Sequence, residues 1–221
     1  RFTYSIKGNS GQIGIVQVVS SVVKIDLVTT SIYRDPSAWY HFVLSVDTTQ
    51  ATPSFILYVN GVQATLTGTN SLAQNANTQV NNTNEHDIGK YFAGANYLDG
   101  YLTEINFVDG QQLTPSSFGE TDSITGVWKP KAYSGTYGTN GFELNFSDNS
   151  NNTAATIGKD YSGNGNNWTP NNISVTAGAT YDSMQDVPTL TSATVANYAV
   201  LNPLAFNPAP GGTGVSTYSN G

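Results

Sequence analysis

Two carboxylates projecting from one face of a strand are enough for acid–base cleavage of a glycosidic bond, so acidic residues are the first chemistry to look for. The chain has 15 Asp and Glu among 221 residues, yet it contains no Glu-x-Asp-x-x-Glu run. Glu85-His86-Asp87 supplies two carboxylates, followed by Ile88-Gly89 with no third. Glu104 stands alone, with Asn106 next on its face. A glycan depolymerase is therefore the least favoured of three functional readings. A histidine triad has less still to draw on. There are only two histidines, His41 and His86, and His41 lies in a run of core-type residues, where it reads as a hydrogen-bonded structural side chain rather than a general base.

Oxygen ligands for a hard cation are more plentiful. Asp148, Asn149, Asn152, Asp160 and Asn164 are candidates for calcium, with Asp148 and Asp160 as its carboxylates. The competing assignment is stronger, because Asp, Asn and Gly in such runs make Asx turns and tolerate left-handed backbone. Calcium is a secondary expectation, and no other cofactor is expected. Sugar binding asks for an aromatic platform beside amide or carboxylate groups, since sugars present apolar C–H faces rimmed by hydroxyls. The loop Tyr91-Phe92-Ala93-Gly94-Ala95-Asn96-Tyr97, with Asp99 beyond it, has that composition. The candidate glycan site is Tyr91, Asn96, Tyr97 and Asp99, against the alternative that Tyr91 and Phe92 cap the core. Trp168, in a polar loop, is a second candidate platform or else a hydrophobic anchor.

Composition narrows the partners. Charged residues make up 10% of the chain, against an average of roughly 25%, and polarity comes from Asn, Ser, Thr, Gly and Gln. Such a neutral, hydrogen-bonding surface is common in extracellular adhesins and virion parts. With 8 Lys and Arg and a net charge of −7 there is no basic stripe, so nucleic acid is not an expected partner. No stretch approaches the roughly 20 apolar residues of a membrane span, and membrane insertion is not expected. There is no cysteine, which excludes disulfides and thiolate metal sites.

The elements that must position these residues read as strands. Trp39-Tyr40-His41-Phe42-Val43-Leu44-Ser45-Val46-Asp47 and Phe55-Ile56-Leu57-Tyr58-Val59 are aromatic and β-branched, and they predict a central antiparallel pair joined by a long polar loop. Tyr40, Phe42, Leu44 and Val46 share one face. Asn60-Gly61 predicts a type I′ hairpin turn, which needs positive φ at both positions. Phe2, Tyr4 and Ile6 alternate, and residues 13–19 and 22–28 predict a hairpin around Ser20-Ser21. Residues 68–84 read as a surface loop, 85–89 as a return to the sheet, and 101–108 as a further strand with Tyr101, Ile105 and Phe107 on one side. One helical turn is expected at Leu113-Thr114-Pro115-Ser116-Ser117-Phe118. Val127-Trp128 and residues 141–146 are the last strand candidates. Past Ser147 the sequence turns rich in Asn, Gly and Pro, which predicts an irregular arm over 148–221 that packs on the preceding domain or on a neighbour, or links to another domain. The chain opens on Arg1-Phe2-Thr3-Tyr4, as if inside a strand, so an excerpt of a longer polypeptide lacking its first strand is expected.

The order Trp39-Tyr40-His41-Phe42-Val43, Asp47, Leu57-Tyr58-Val59-Asn60-Gly61, then Asp87-Ile88-Gly89 and Leu98-Asp99-Gly100-Tyr101-Leu102-Thr103-Glu104-Ile105-Asn106-Phe107, resembles the signature of the laminin-G-like, concanavalin A-like superfamily. The resemblance implies an all-β, two-sheet antiparallel jelly-roll sandwich over residues 1–147. Lectins of that superfamily often place sites on loops such as 91–97, and its acidic position, here Glu104, more often ties down a neighbouring loop than performs catalysis. An extracellular eukaryotic laminin-G domain of this size would often carry a disulfide, so the lack of cysteine favours a bacterial or phage source.

Residues 107–120, Trp128-Lys129-Pro130-Lys131, residues 160–172 and Asn197-Tyr198-Ala199-Val200-Leu201-Asn202-Pro203-Leu204 are similar to appendage proteins of tailed, especially marine, bacteriophages: tail fibres, tail adhesins and capsid fibres. That resemblance implies a location on the virion surface and does not settle the ligand. The low-charge surface and an arm without its own core point to packing against copies of the same chain or other virion proteins, and the aromatic loop makes a host-surface glycan the expected ligand. The expected function is non-enzymatic attachment to the host surface. The alternative is a purely architectural virion protein, either a capsid decoration or a fibre-shaft module.

Overall fold

The computed structural model describes residues 2–7, 11–35, 37–90, 97–177 and 181–183. Residues Arg1–Ser183 form one compact unit, and everything past Ser183 lies outside the described residues. The fold is all-β. Eleven strands are described, β1 (Phe2–Lys7), β2 (Gln12–Val19), β3 (Val22–Thr29), β4 (Phe42–Asp47), β5 (Ser54–Val59), β6 (Val62–Gln63), β7 (Leu66–Asn70), β8 (Ile105–Phe107), β9 (Gly119–Thr121), β10 (Trp128–Pro130) and β11 (Phe142–Leu144). The helical content among the described residues is one 3-10 turn, Pro115–Ser117, with Pro at its start and Thr114 in extended conformation before it.

Four antiparallel sheets result. One runs β1-β2-β3-β7, one β4-β5-β6, and two are two-stranded, β9 with β10 and β8 with β11. The two larger sheets pack face to face, because alternation puts large apolar residues on one face of each. Ile15, Ile25 and Leu27 of the first meet Phe55 of the second, with Leu72 beside them. Ile13 meets Leu57 and Val59, flanked by Tyr33, Tyr40 and Phe42. Fully burying an Ile or Leu side chain contributes about 1.5–3 kcal/mol, so these few side chains are the main source of cohesion between the sheets.

The turns follow the sequence closely. Ser20 and Ser21 have φ of 47° and 63°, and Asn60 and Gly61 have 49° and 79°. Both are two-residue turns with positive φ throughout, as the right-handed twist of the strands demands. Asn60 is braced further, donating its N–H to the His41 carbonyl and accepting the His41 N–H on its side-chain oxygen, each at 2.8 Å.

Three local expectations differ from the structure. Residues 68–70, expected to open the surface loop, belong to a strand instead: β7 pairs with β3 from Leu66↔Thr29 to Asn70↔Ile25. Gly68 permits that pairing, since a Cβ there would strike the Asp26 carbonyl oxygen. Residues 85–89 form no strand, and among the described residues of this region the sheet-type contact is the isolated antiparallel bridge Lys90↔Tyr97. The strand expected over 101–108 is only Ile105–Phe107, paired with β11, because Glu104 turns left-handed at φ 52° and ends the extended run.

The segment from 113 to 130 meets the β4-β5-β6 sheet at its two ends. Ser45, a buried residue, donates its hydroxyl to the Leu113 carbonyl at 2.7 Å. Trp128 lies against Gly61 and Gly119, where a Cβ on either glycine would meet its ring.

Candidate functional site

Of the predicted glycan-site residues, Tyr91 and Asn96 lie outside the described residues, while Tyr97 and Asp99 are described. Two contacts fix the base of their loop. Tyr97 pairs with Lys90, and the Leu98 N–H donates to the Gly89 carbonyl at 2.7 Å. Gly89 has φ of 78°, a value that a glycine holds without strain. Lys90 reaches the Asp87 carboxylate at 3.7 Å.

Beyond this base, residues 97–102 read Tyr-Leu-Asp-Gly-Tyr-Leu and all are exposed. Tyr97 and Tyr101 show 62% and 64% of their surface to solvent, with Leu98 and Leu102 less open at 43% and 45%. Four large side chains left in water on one short stretch is more than the scattered apolar exposure of an ordinary surface. Asp99 sits between the two Tyr-Leu pairs, and Gly100 has no atom within 4 Å of where a Cβ would stand. The stretch therefore offers aromatic and aliphatic surface, one carboxylate, two phenolic hydroxyls and open space beside a glycine. Tyr101 was expected to lie in a strand, and its place in this cluster comes from the strand starting four residues later. The sequence signal available for it was the repeated Tyr-Leu pair around Asp99-Gly100.

Trp168 belongs to another part of the unit. Its ring meets Phe142 at 5.0 Å between centroids, and Phe142 in turn stacks on Phe107 at 5.6 Å. The Trp168 backbone N–H donates to the Gly158 carbonyl at 2.8 Å. Trp168 is thus an anchor holding the Asn-rich stretch onto β8 and β11.

Asp160 organises the same region. The residue is 6% exposed, and its carboxylate accepts four hydrogen bonds: from the N–H groups of Glu143 (2.9 Å), Ser162 (2.8 Å) and Asn166 (2.8 Å), and from the Ser162 hydroxyl (2.9 Å). Burial pushes this carboxyl up, and the four donors outweigh it, so it is held below the ordinary range. Asp148 holds a smaller turn, accepting the N–H and hydroxyl of Ser150 on one oxygen. Both acids serve turns, and among the described residues no three His, Asp or Glu side chains gather as a metal-holding group.

A polar cluster missed at the sequence level surrounds Tyr137, which is 8% exposed. Its hydroxyl donates to the Asn106 side-chain oxygen at 2.7 Å and lies 3.2 Å from the Glu143 carboxylate. Burial first, then the negative charge of Glu143, pushes the phenol far above its ordinary value, with Glu104 adding a smaller share. Tyr137 is a proton-holding structural phenol that ties β8 to β11. His41 is likewise structural. Its Nδ1 accepts the Trp128 indole N–H at 3.0 Å, and burial lowers its pKa.

Among the described residues no helix is long and apolar enough to cross a membrane. Comparison with protein families, curated proteins and solved structures returns no match.

Proposed function

We propose that this protein is a non-enzymatic attachment module on a phage virion, a two-sheet jelly roll that binds a glycan of the host surface through the loop around Tyr97, Asp99 and Tyr101. The observation that carries the reading is the exposure of two tyrosines flanking a carboxylate on a stretch whose base is pinned to Gly89 and Lys90. A sugar stacks its C–H face on an aromatic ring and directs its hydroxyls to a carboxylate, so this is a matching set of groups. The phage assignment rests on the sequence resemblance. Residues 1–221 screened on a broad glycan array, with and without EDTA, test the reading. Binding that disappears in Tyr97→Ala while the variant stays folded supports it. Absence of binding to every glycan, from folded protein, defeats it. Loss of binding with EDTA alone would bring calcium into the site.

A second reading, a purely architectural virion module packed against copies of itself or other virion proteins, is favoured by a different observation. Ile124 and Val127 stand in solvent at 93% and 62% exposure on the turn between β9 and β10.

A further inference from the structure

The aspartates of this protein have structural tasks, with one exception. Asp35, Asp47, Asp148 and Asp160 each accept the hydroxyl of a Ser or Thr two residues on. Asp109 holds the Asn81 amide at 2.7 Å, and Asp87 holds Lys90 at 3.7 Å. The other described aspartates outside residues 97–102 are engaged too. Asp99 departs from the pattern. The residue is exposed, and its carboxylate makes no hydrogen bond or ion pair with any described residue. Gly100 and Tyr101 follow it, so no hydroxyl two residues on folds back to it as in the other turns.

The positive charge nearest to it in the chain is already taken. Lys90 is the one Lys or Arg between Arg34 and Lys129. Its backbone bridges to Tyr97, while its ammonium reaches back to Asp87. Residues 91–96 read Tyr-Phe-Ala-Gly-Ala-Asn and bring no charge of either sign. The exposed stretch 97–102 therefore sets two tyrosine rings around a single uncompensated carboxylate. A carboxylate only accepts hydrogen bonds, so a ligand must bring donors to it. Sugar hydroxyls and N-acetyl amides are donors. Uronate, sialate and sulfate groups bring acceptors and a like charge.

Taking this loop as the glycan site, a premise that rests on the attachment reading above, we propose that Asp99 makes the site selective for neutral sugars, hexoses and N-acetylhexosamines, and turns away acidic and sulfated ones. Tyr97 and Tyr101 offer their ring faces to both kinds alike. The discrimination comes from Asp99, because an acidic group on the same platform meets a like charge and finds Lys90 bound to Asp87.

Pairs of glycans that differ only in an acidic group test this: galactose-terminated chains with their sialylated forms, and glucose oligomers with the matching glucuronates. Affinities of residues 1–221 for both members of each pair are measured at low and high salt. The neutral member is expected to bind about fivefold more tightly at low salt, with a gap that narrows as salt screens the charge. Asp99→Ser should bring the members close to parity. Serine is preferred to asparagine because an Asn-Gly pair deamidates back to a carboxylate. The whole chain carries a net charge of −7, so Glu120→Gln, which removes one charge from β9, is the control and should leave the gap unchanged. Circular dichroism checks that both variants keep their fold. Acidic members bound as tightly as neutral ones, a gap that survives Asp99→Ser, or one that closes equally in Glu120→Gln overturns the proposal. No binding of either member in any pair, from folded protein, defeats the attachment reading itself and the selectivity with it.

Discussion

The indole N–H of Trp128 reaches Nδ1 of His41 at 3.0 Å, across 87 residues of sequence. The two rings lie 5.9 Å apart at 30° to one another. This contact ties the β9–β10 hairpin to the edge of the β4-β5-β6 sheet. It requires an unprotonated Nδ1, because an imidazolium has no lone pair to accept the indole proton.

Stability should therefore fall in mild acid. Burial depresses the His41 pKa below its ordinary 6.5. Above that value the ring is neutral in both states and the contact contributes fully. As pH drops below 6.5 towards the lower folded value, the unfolded chain takes up a proton that the folded chain refuses, and stability is lost. Urea unfolding at pH 7.5 and pH 5.5 should show a lower midpoint at pH 5.5, with the difference reduced in His41→Gln. Equal midpoints for the unmodified protein would contradict the coupling.

The slot for Trp128 requires glycine on both walls. Gly61→Ala drives a Cβ into the indole at a position whose φ is 79°, and Gly119→Ala does so without that backbone strain. Overfilling a packed site costs about 1–3 kcal/mol. Both variants should unfold at lower denaturant, Gly61→Ala more so, with a change in tryptophan emission before global unfolding. Unchanged midpoints in both would mean that the indole has room to move aside.

Removing the Asp160 carboxylate leaves the N–H groups of Glu143, Ser162 and Asn166 without their acceptor. Asp160→Ala should cost about 3 kcal/mol, as expected for lost hydrogen bonds to a buried charge. Because this carboxyl titrates below its ordinary 3.8, its contribution is present above that pH and declines as pH falls through the folded value. Thermal melts with added calcium or EDTA should be superimposable. A calcium-dependent rise in Tm that Asp160→Ala abolishes would assign it a metal instead.

Tyr101 and Trp168 should separate function from structure. Tyr101→Ala, at a side chain 64% exposed, should change stability by no more than about 0.5 kcal/mol and should weaken glycan binding alongside Tyr97→Ala. Trp168→Ala, which empties the contact with Phe142, should cost about 3 kcal/mol and leave binding by the remaining folded protein intact. Calorimetry on the best ligand of the array distinguishes the two, and the opposite pattern would move the platform to Trp168.

Much of the fold was legible because its signals are local. The two-residue turns at Ser20-Ser21 and Asn60-Gly61 and the alternation in β2 to β5 depend on neighbours one or two positions apart. β7 was not legible. Leu-Thr-Gly-Thr-Asn carries almost no apolar pattern, and what makes it a strand is the free edge of β3 together with a glycine that admits the Asp26 carbonyl. The loop of Tyr97 and Asp99 was identified by residue type, whereas Tyr101 joined it only because Glu104 ends the extended run.

Asp148 and Asp160 show where the division lies. Each begins an Asp-x-Ser triplet, and each accepts the N–H and hydroxyl of the serine two residues on. The sequence by itself determined that much, since a short carboxylate reaches its own chain two residues ahead whatever the rest of the protein does. It likewise determined the strand alternation, the turn chemistry and the low charge. Only the tertiary structure decided that Asp160 is buried and receives Glu143 and Asn166 as further donors, and that Trp128 finds His41. Those partners lie 6 to 87 residues away, and their meeting is set by how the sheets pack rather than by any local preference of the chain.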